Sequence, residues 1–214
     1  MTRRLVAWIL FVALISGVAY ASRFTAGRPD RNALYQWSTA IGELTVFAVI
    51  LAVTLAITGG RRELLALNRP ASWRQALLLC LLLLIVVYAA IAAIDPLLHG
   101  GREQGLTPTG WQPHHAAAYG ANFVVIAAVA PFVEELLFRG LGFALLERFG
   151  RWQTILAVGL AFGLYHGLVQ ALPELALFGC ALAWLRMKTR SVIPGMLLHS
   201  AFNAIALIAA VTVR

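Results

Sequence analysis

Seven long apolar stretches, separated by short polar segments, set the pattern of the chain. A helix needs about 20 apolar residues to cross the hydrocarbon core of a bilayer, and most of the stretches approach that length. No internal repeat, glycine-rich phosphate loop or low-complexity tract interrupts the pattern. The pattern predicts an all-α integral membrane protein with about seven transmembrane helices. The predicted spans are 5–22, 37–58, 75–94, 119–146, 152–169, 172–186 and 192–213.

The composition supports a membrane protein. Of the 214 residues, 61% are hydrophobic and 12% are charged, whereas soluble domains contain about 25% charged residues. The formal net charge of +8 comes from basic residues that flank the apolar stretches, as membrane topology requires, so it does not indicate a nucleic-acid partner. The partner that the composition implies is the lipid bilayer. Cys80 and Cys180 both lie in apolar stretches and are predicted to pack there without forming a disulfide.

The loop charges predict the orientation of the chain in the membrane. Lys and Arg concentrate on the cytoplasmic side, and a cytoplasmic N-terminus places eleven of them inside and five outside, with Arg139 left in the membrane. We therefore expect a multi-pass protein of the inner (plasma) membrane with its C-terminus outside. The residues counted inside are Arg3, Arg4, Arg61, Arg62, Arg69, Arg74, Arg148, Arg151, Arg186, Lys188 and Arg190, and those outside are Arg23, Arg28, Arg31, Arg102 and Arg214.

The first apolar stretch has a second interpretation. Basic residues precede it and the small-residue sequence AYAS ends it, a combination that is also typical of a signal peptide, here with cleavage after Ala21. The loop that follows lies outside under both interpretations, so the remaining topology does not depend on the choice. The sequence leaves open whether residues 1–21 are removed.

Few strongly polar side chains lie inside the predicted spans. A charge at the bilayer centre costs about 2.5–3.5 kcal/mol on insertion scales, so such residues face the bundle interior and indicate functional sites. At about 1.5 Å per residue from the cytoplasmic end of each span, Glu134, His166 and Asn203 have similar depths and are expected to converge. The residues singled out as candidates are Glu43, Glu134, Glu135, Arg139, His166, His199 and Asn203.

The fourth span carries the densest charge, in the segment PFVEELLFRG. Glu135 and Arg139 are four residues apart, so they share a helix face and are expected to form an intrahelical salt bridge. Glu134 is rotated by about 100° from Glu135 and is less easily neutralised within the helix. Pro131 predicts a bend just before the glutamates, because its ring clashes with the preceding turn.

These residue types suit hydrolysis by activated water. Glu134 and His166 facing one another would bind and deprotonate a water molecule, as a general base does. His199 and Asn203, four apart on one helix face, would donate hydrogen bonds to a developing oxyanion. Zinc is the alternative, because Glu134, His166 and His199 would supply three ligands with an open fourth position. The usual HExxH helix is absent, and the residues leave metal-held and carboxylate-held water both open.

Three motifs in this order resemble the CAAX-protease and bacteriocin-processing (CPBP, or Abi) family of intramembrane endopeptidases, which includes the type II CAAX prenyl proteases. The resemblance covers roughly residues 119–213. The family pattern is EExxxR, then FxxxH, then HxxxN or HxxxD on successive core helices. In this chain the motifs are EELLFR (Glu134, Glu135, Arg139), FGLYH (Phe162, His166) and HSAFN (His199, Asn203).

The resemblance implies a helical bundle with its active site in a membrane cavity. Residues 119–214 would form a four-helix catalytic core, and residues 1–118 would supply N-terminal transmembrane helices and an outside loop. Glu134 with His166 would activate water, and His199 with Asn203 would form the oxyanion side. Glu135, Arg139 and Phe162 would support the site. A glutamate-dependent, metal-free mechanism is favoured, because an amide beside His199 suits hydrogen-bond donation better than metal binding. No cofactor is favoured, and zinc stays open as the alternative.

The substrate implied is a hydrophobic or membrane-anchored peptide or protein, which no residue identifies further. The basic N-terminus, short loops and small size are typical of a bacterial protein, in which prenylated CAAX substrates would not be expected. Two other functions stay open. One is a proton-coupled transporter with Glu134, His166 and Glu43 as a relay, although the chain lacks two similar halves. The other is a catalytically silent bacteriocin-immunity or scaffold protein that keeps the fold.

Overall fold

The computed structural model describes residues 2–25, 30–103 and 110–212, with only the backbone described for Arg102. Within these ranges the regular structure is helical and no strand occurs. Arg28, Arg214 and the predicted end of the last span at residue 213 lie outside the described residues. The seven long helices are α1 (Thr2–Thr25), α2 (Trp37–Thr58), α3 (Trp73–Leu98), α4 (Pro113–Phe149), α5 (Arg151–Tyr165), α6 (Leu172–Thr189) and α7 (Ile193–Thr212).

Each predicted span corresponds to one of these helices, and the all-α membrane prediction is confirmed. Five of the helices in the described part of the chain, α1 to α4 and α7, are long and apolar enough to cross a membrane. Helix α5 has only 15 residues. Helix α6 has 18 residues but contains Glu174, Arg186 and Lys188. These two helices complete the bundle as a tightly packed pair.

The close approach of α5 and α6 depends on two glycines. A Cβ atom on Gly179 would lie 2.7 Å from the carbonyl oxygen of Gly159, and a Cβ on Gly159 would lie 2.7 Å from the backbone nitrogen of Cys180. Small residues at such crossings let helix backbones touch, which is the usual packing mode in membranes. As predicted, Cys80 and Cys180 are free thiols.

Helix α1 is docked against α4 as part of the bundle. The Trp8 indole is 4% exposed and donates a hydrogen bond of 3.0 Å to the carbonyl oxygen of Leu137. Gly142 leaves the space that this indole fills, because a Cβ there would lie 2.5 Å from the Trp8 ring. Cleavage after Ala21 would delete these contacts. We therefore predict that residues 1–21 are not removed as a signal peptide.

Helix α4 departs from regular α geometry on both sides of Pro131. Residues Val125–Val129 and Glu135–Gly142 are π-helical. Proline has no backbone N–H, and π-turns inside α-helices often occur at functional sites. The bend predicted at Pro131 stays a prediction. The π-helical turns change the directions in which the side chains of Glu135 and its neighbours leave the helix axis.

One end of the bundle brings together residues 37–39, 95–103 and 166–174, and we call it the mouth end. Helices α1, α3 and α5 end there, and α2 and α6 begin there. A short helical turn, Gly100–Glu103, follows α3. Glu103 forms an ion pair with Arg23 at the end of α1, with 3.4 Å between Oε1 and Nη2. These contacts connect the ends of α1 and α3.

Candidate functional site

A cavity of about 960 Å³ inside the bundle contains the candidate residues. Its wall is formed by side chains from α2 to α7 and extends to the mouth end. Three sequence motifs that are far apart in the chain therefore meet around one space, as their predicted depths indicated. The motif residues on this wall are Glu134, Phe162, His166, His199 and Asn203.

Glu134 and His199 approach each other on the cavity wall. Glu134 Oε2 lies 3.7 Å from His199 Nε2, and the two residues are 4% and 3% exposed. This separation exceeds a normal hydrogen bond but allows a direct charge interaction. The sequence paired Glu134 with His166 instead. In the described residues, His166 and Glu134 form no direct ion pair or hydrogen bond, although both face the cavity.

Glu135 lies behind this pair and links two helices. Its Oε1 accepts a hydrogen bond of 2.9 Å from Arg139 Nη1, so the predicted intrahelical salt bridge is confirmed. The same oxygen lies 3.4 Å from His199 Nδ1. A carboxylate paired with a guanidinium accepts hydrogen bonds, so Nδ1 of His199 carries a proton and Nε2 is directed at Glu134. Glu135 thereby sets the orientation of the imidazole.

Arg139 is fully buried and makes three different contacts. Besides Glu135, it donates a hydrogen bond of 3.1 Å from Nη2 to the carbonyl oxygen of Gly179 on α6. Its guanidinium carbon lies 4.2 Å from the centre of the Phe162 ring, a cation–π distance. Arg139 therefore joins α4 to α5 and α6 behind the cavity, and Phe162 separates it from the cavity space.

His166 lies at the end of α5, where the sequence predicted a span that continues to residue 169. That boundary is wrong: α5 ends at Tyr165. Gly167 follows with a positive φ of 67°, and a Cβ on it would lie 2.7 Å from the backbone of Ala19. Glycine is the residue that reverses the chain in so little space. His166 is consequently held at the helix terminus, facing the cavity.

The contacts of His166 determine its tautomer. Its Nδ1 lies 2.8 Å from the carbonyl oxygen of Phe162, one turn earlier. A carbonyl only accepts, so Nδ1 donates the hydrogen and Nε2 of the neutral ring carries a lone pair. The ring centres of Phe162 and His166 are 4.7 Å apart, which confirms that the two residues share a helix face. His166 can accept a hydrogen bond from water in the cavity.

Asn203 connects α7 to the first π-helical segment of α4. Its Nδ2 donates a hydrogen bond of 2.8 Å to the carbonyl oxygen of Ile126. An amide nitrogen carries two hydrogens, so one remains for a group in the cavity. The interaction fixes the amide orientation, because the oxygen and nitrogen can no longer exchange places without losing the bond.

The described residues do not form a zinc site. No group of three or more His, Cys, Asp or Glu side chains lies close enough in the ranges 2–25, 30–103 and 110–212 to hold a metal ion. A catalytic zinc needs three protein ligands about 2 Å from the metal. Glu134 and His199 approach each other, but His166 does not complete the set. The proposed reaction therefore includes no step through zinc.

Four further cavity residues were not assigned to the catalytic site from the sequence. Tyr165 lies next to the Glu134 carboxylate. Glu43, considered only as a transporter relay, lies on the same wall, as do Asp95 and Glu174 at the mouth end. Glu174 falls inside the predicted span 172–186, so its charge in an apolar stretch was a usable signal. Tyr165 gave no such signal, because a tyrosine is uncharged and does not stand out in a membrane helix.

Comparison with known proteins agrees with the motifs. Residues 117–205 match the family model described as type II CAAX prenyl endopeptidase Rce1-like. The matched segment contains all three motifs, so the resemblance drawn from them is confirmed for this segment and is consistent with the CAAX-protease and bacteriocin-processing family. A search among curated proteins found no match, and neither did a search among solved structures.

Proposed function

We propose that this chain, in which residues 117–205 match the type II CAAX prenyl endopeptidase family model, is an intramembrane endopeptidase. It hydrolyses a peptide bond of a membrane-associated peptide or protein. The observation that carries this proposal is the meeting of Glu134, His199 and Asn203 with His166 on one buried cavity wall. Buried ionisable groups in a membrane protein are costly, and their convergence on a cavity favours chemistry over packing.

Glu134 is the proposed general base. It faces the cavity, and no arginine or lysine in the described part of the chain forms an ion pair with it, since Arg139 pairs with Glu135. The lone pair on His166 Nε2 accepts one hydrogen of the attacking water and orients the molecule. Glu134 accepts the other proton as the water oxygen attacks the carbonyl carbon. Water is the proposed nucleophile because Glu134 and His166 each accept one of its hydrogens.

Asn203 and His199 are the proposed oxyanion donors. The second hydrogen on Asn203 Nδ2 is directed away from Ile126 and is free to donate to the carbonyl oxygen as negative charge develops. His199 contributes when its ring carries a proton on Nε2 in addition to the Nδ1 proton held by Glu135. A proton that moves between Glu134 and His199 over 3.7 Å would produce that state.

Collapse of the tetrahedral intermediate completes the reaction. The proton taken from water passes from Glu134 to the leaving nitrogen, the carbon–nitrogen bond breaks, and Glu134 returns to its ionised form. The new carboxyl group keeps the water oxygen and releases its remaining proton to solvent. Water and one peptide bond are consumed, and an amine and a carboxylate are produced, without a metal or another cofactor.

The proposed positioning residues are Glu135, Arg139 and Phe162, which hold His199 and the contacts between helices. Glu135 and Arg139 do not face the reacting atoms, whereas the Phe162 ring does. Residues 119–214 form the proposed catalytic core. The N-terminal part, 1–118, contributes more than an anchor, since Glu43 on α2 and Tyr88 on α3 also line the cavity.

The proposed setting is the plasma membrane of a bacterium, with the N-terminus in the cytoplasm. In that orientation the mouth end opens outside, toward membrane-anchored substrates. A proton-coupled transporter is the second candidate, because Glu43 lines the same cavity as Glu134 and His166 and all three can carry protons. A silent immunity or scaffold protein requires no such arrangement.

Glu134→Gln separates the three functions. The purified protein in lipid vesicles is assayed for cleavage of a hydrophobic reporter peptide and for proton uptake, while circular dichroism reports the fold. We expect cleavage to fall by about 10²- to 10⁴-fold with the helix content unchanged. Glu63→Gln is the matched control, because Glu63 is exposed and pairs with Arg61 far from the cavity. Undiminished cleavage, or a loss of proton uptake alone, would overturn the proposal.

A further inference from the structure

The cavity wall is acidic at the mouth end. Asp95 on α3 and Glu174 on α6 line it there, and Glu43 on α2 lies close enough to Glu134 for the two charges to interact. No lysine or arginine is among the described residues that line the cavity. This negative wall belongs to a protein with a formal net charge of +8, so it does not follow from the overall composition.

Glu174 is buried without a partner for one of its oxygens. The residue is 3% exposed, and Oε1 makes no hydrogen bond to any described residue. Both carboxylate oxygens pack against Gly100, where an added Cβ would lie 2.9 Å from each. A buried charged group without partners is costly. A carboxylate at this position therefore requires a proton or a cation beside it.

The usual structural role of such a glutamate is already filled. A glutamate at the third position of a helix commonly reaches back to the N-terminal backbone N–H groups. For Glu174 this target is the N–H of Ala171, the N-cap residue of α6, which donates to the Glu103 carboxylate at 3.0 Å. The N–H groups of Val169 and Gln170, just before the helix, donate to the same carboxylate at 3.0 and 2.6 Å. Glu174 is not required to cap the helix and faces the cavity instead.

Asp95 brings a second carboxylate to the same place. Its Oδ1 accepts a hydrogen bond of 2.7 Å from the backbone N–H of Gly101, which fixes the side chain. The side chains of Asp95 and Glu174 lie next to each other. Two adjacent carboxylates repel unless a proton or a cation lies between them. They do not form a three-ligand metal group with any other described residue.

We propose that Asp95 and Glu174 form a subsite for a cationic side chain of the substrate, a lysine or an arginine near the cleaved bond. The inference rests on the proposed peptidase function, because the subsite opens into the same cavity as Glu134. Ammonium and guanidinium groups donate several hydrogen bonds at once, which suits two carboxylates better than a neutral side chain does. Substrates with a basic residue beside an apolar segment fit this wall.

The test uses a series of reporter peptides in which one lysine is moved through each position on both sides of the cleaved bond. Each lysine peptide is compared with its glutamine counterpart. At one position, we expect the wild-type protein to cleave the lysine peptide with a kcat/KM about 10- to 100-fold higher. In Glu174→Gln and in Asp95→Asn the ratio falls to near unity, whereas the Glu63→Gln control keeps it. A ratio within one preparation is insensitive to a partial loss of folded protein.

Two results would overturn the subsite. One is a wild-type protein with no preference for lysine at any position, and the other is a preference that survives in both variants. If no peptide is cleaved at all, the peptidase proposal fails, and binding of the fluorescently labelled peptides then tests the subsite separately. Tighter binding of the lysine peptide that depends on Glu174 supports the subsite, and equal binding of both peptides contradicts it.

Discussion

The Trp8 indole nitrogen donates a hydrogen bond to the carbonyl oxygen of Leu137 at 3.0 Å, across 129 positions of sequence. Leu137 lies in the π-helical segment Glu135–Gly142, two residues from Glu135 and Arg139. A π-turn displaces backbone carbonyls from their regular partners, and a buried carbonyl needs another donor. The first helix of the chain thus supports the irregular turn that carries the site.

Trp8→Phe is predicted to destabilise the bundle. The substitution removes the donor to Leu137 and part of the buried ring volume, so we expect a loss of about 2 kcal/mol of unfolding free energy. Thermal unfolding of the detergent-purified protein measures the change. Trp152→Phe is the matched control, because Trp152 is 55% exposed. Equal midpoints for the two variants would mean that the Trp8 contact contributes nothing to the stability.

Gly195→Ala is predicted to reduce peptide cleavage strongly. A Cβ at this position would lie 2.5 Å from Glu135 Oε2, so the carboxylate that orients His199 must move. We expect a fall in kcat with little change in KM, because the substitution is behind the cavity. Gly120→Ala on α4 is the control, since nothing lies within 4 Å of an added Cβ there. Full activity in Gly195→Ala would show that the position of Glu135 is unimportant for cleavage.

Arg139→Gln is predicted to be among the most destabilising single substitutions. It leaves the Glu135 carboxylate buried without its cation, and breaking a buried pair costs about 3–5 kcal/mol. Chemical denaturation in detergent micelles measures the loss. Arg61→Gln removes an ion pair of similar length, 2.8 Å to Glu63, but an exposed one, and should have no measurable effect. Comparable losses in the two variants would contradict a structural role for Arg139.

Local spacing predicted the contacts within each helix correctly. The pairs Glu135–Arg139 and Phe162–His166 are four residues apart, and both are in contact, because helix geometry alone determines such neighbours. Contacts between helices depend on how each helix is rotated about its axis, which apolar periodicity constrains poorly. For that reason the 3.7 Å approach of His199 to Glu134 was not predicted, while the proposed pairing of Glu134 with His166 across the cavity stays a prediction.

Hydrogen bonds between distant segments could not be predicted from the sequence for a similar reason. Glu103 lies in a loop between predicted spans, and nothing near it in sequence indicates that its carboxylate binds the backbone of residues 169–171. The end of α5 at Tyr165 was also missed, because neither the positive φ of Gly167 nor its close approach to Ala19 on another helix can be recognised from the neighbouring sequence. Glycine in an apolar stretch does not by itself indicate a turn.

Glu103 is predicted to make the stability of the protein depend on pH. Partial burial raises the pKa of its carboxyl, but the three backbone N–H donors and Arg23 outweigh the burial and lower the pKa below 4.5. A group with a lowered pKa in the folded state stabilises the fold above its unfolded pKa and loses that effect as the pH falls through the folded value. The contribution of Glu103 should therefore be complete at neutral pH, begin to decrease near pH 4.5, and disappear once the pH is below the lowered pKa of the folded state.

Unfolding midpoints of the wild-type protein and Glu103→Gln, measured between about pH 3 and 7, test this prediction. We expect a lower midpoint for the variant at pH 7 and convergence of the two curves as the pH falls. A constant difference across the range would show that the Glu103 charge is not responsible. Cleavage should follow the same trend, because the residues that Glu103 holds continue directly from His166.

Glu134 is the proposed base that activates water. Peptide cleavage in the presence of a strong chelator tests this role most directly. The metal content of the same preparation is measured in parallel. We predict that cleavage persists without stoichiometric metal, because carboxylate and imidazole acceptors position the water. Near-stoichiometric zinc together with loss of cleavage in chelator would contradict this account and make Glu134, His166 and His199 metal ligands.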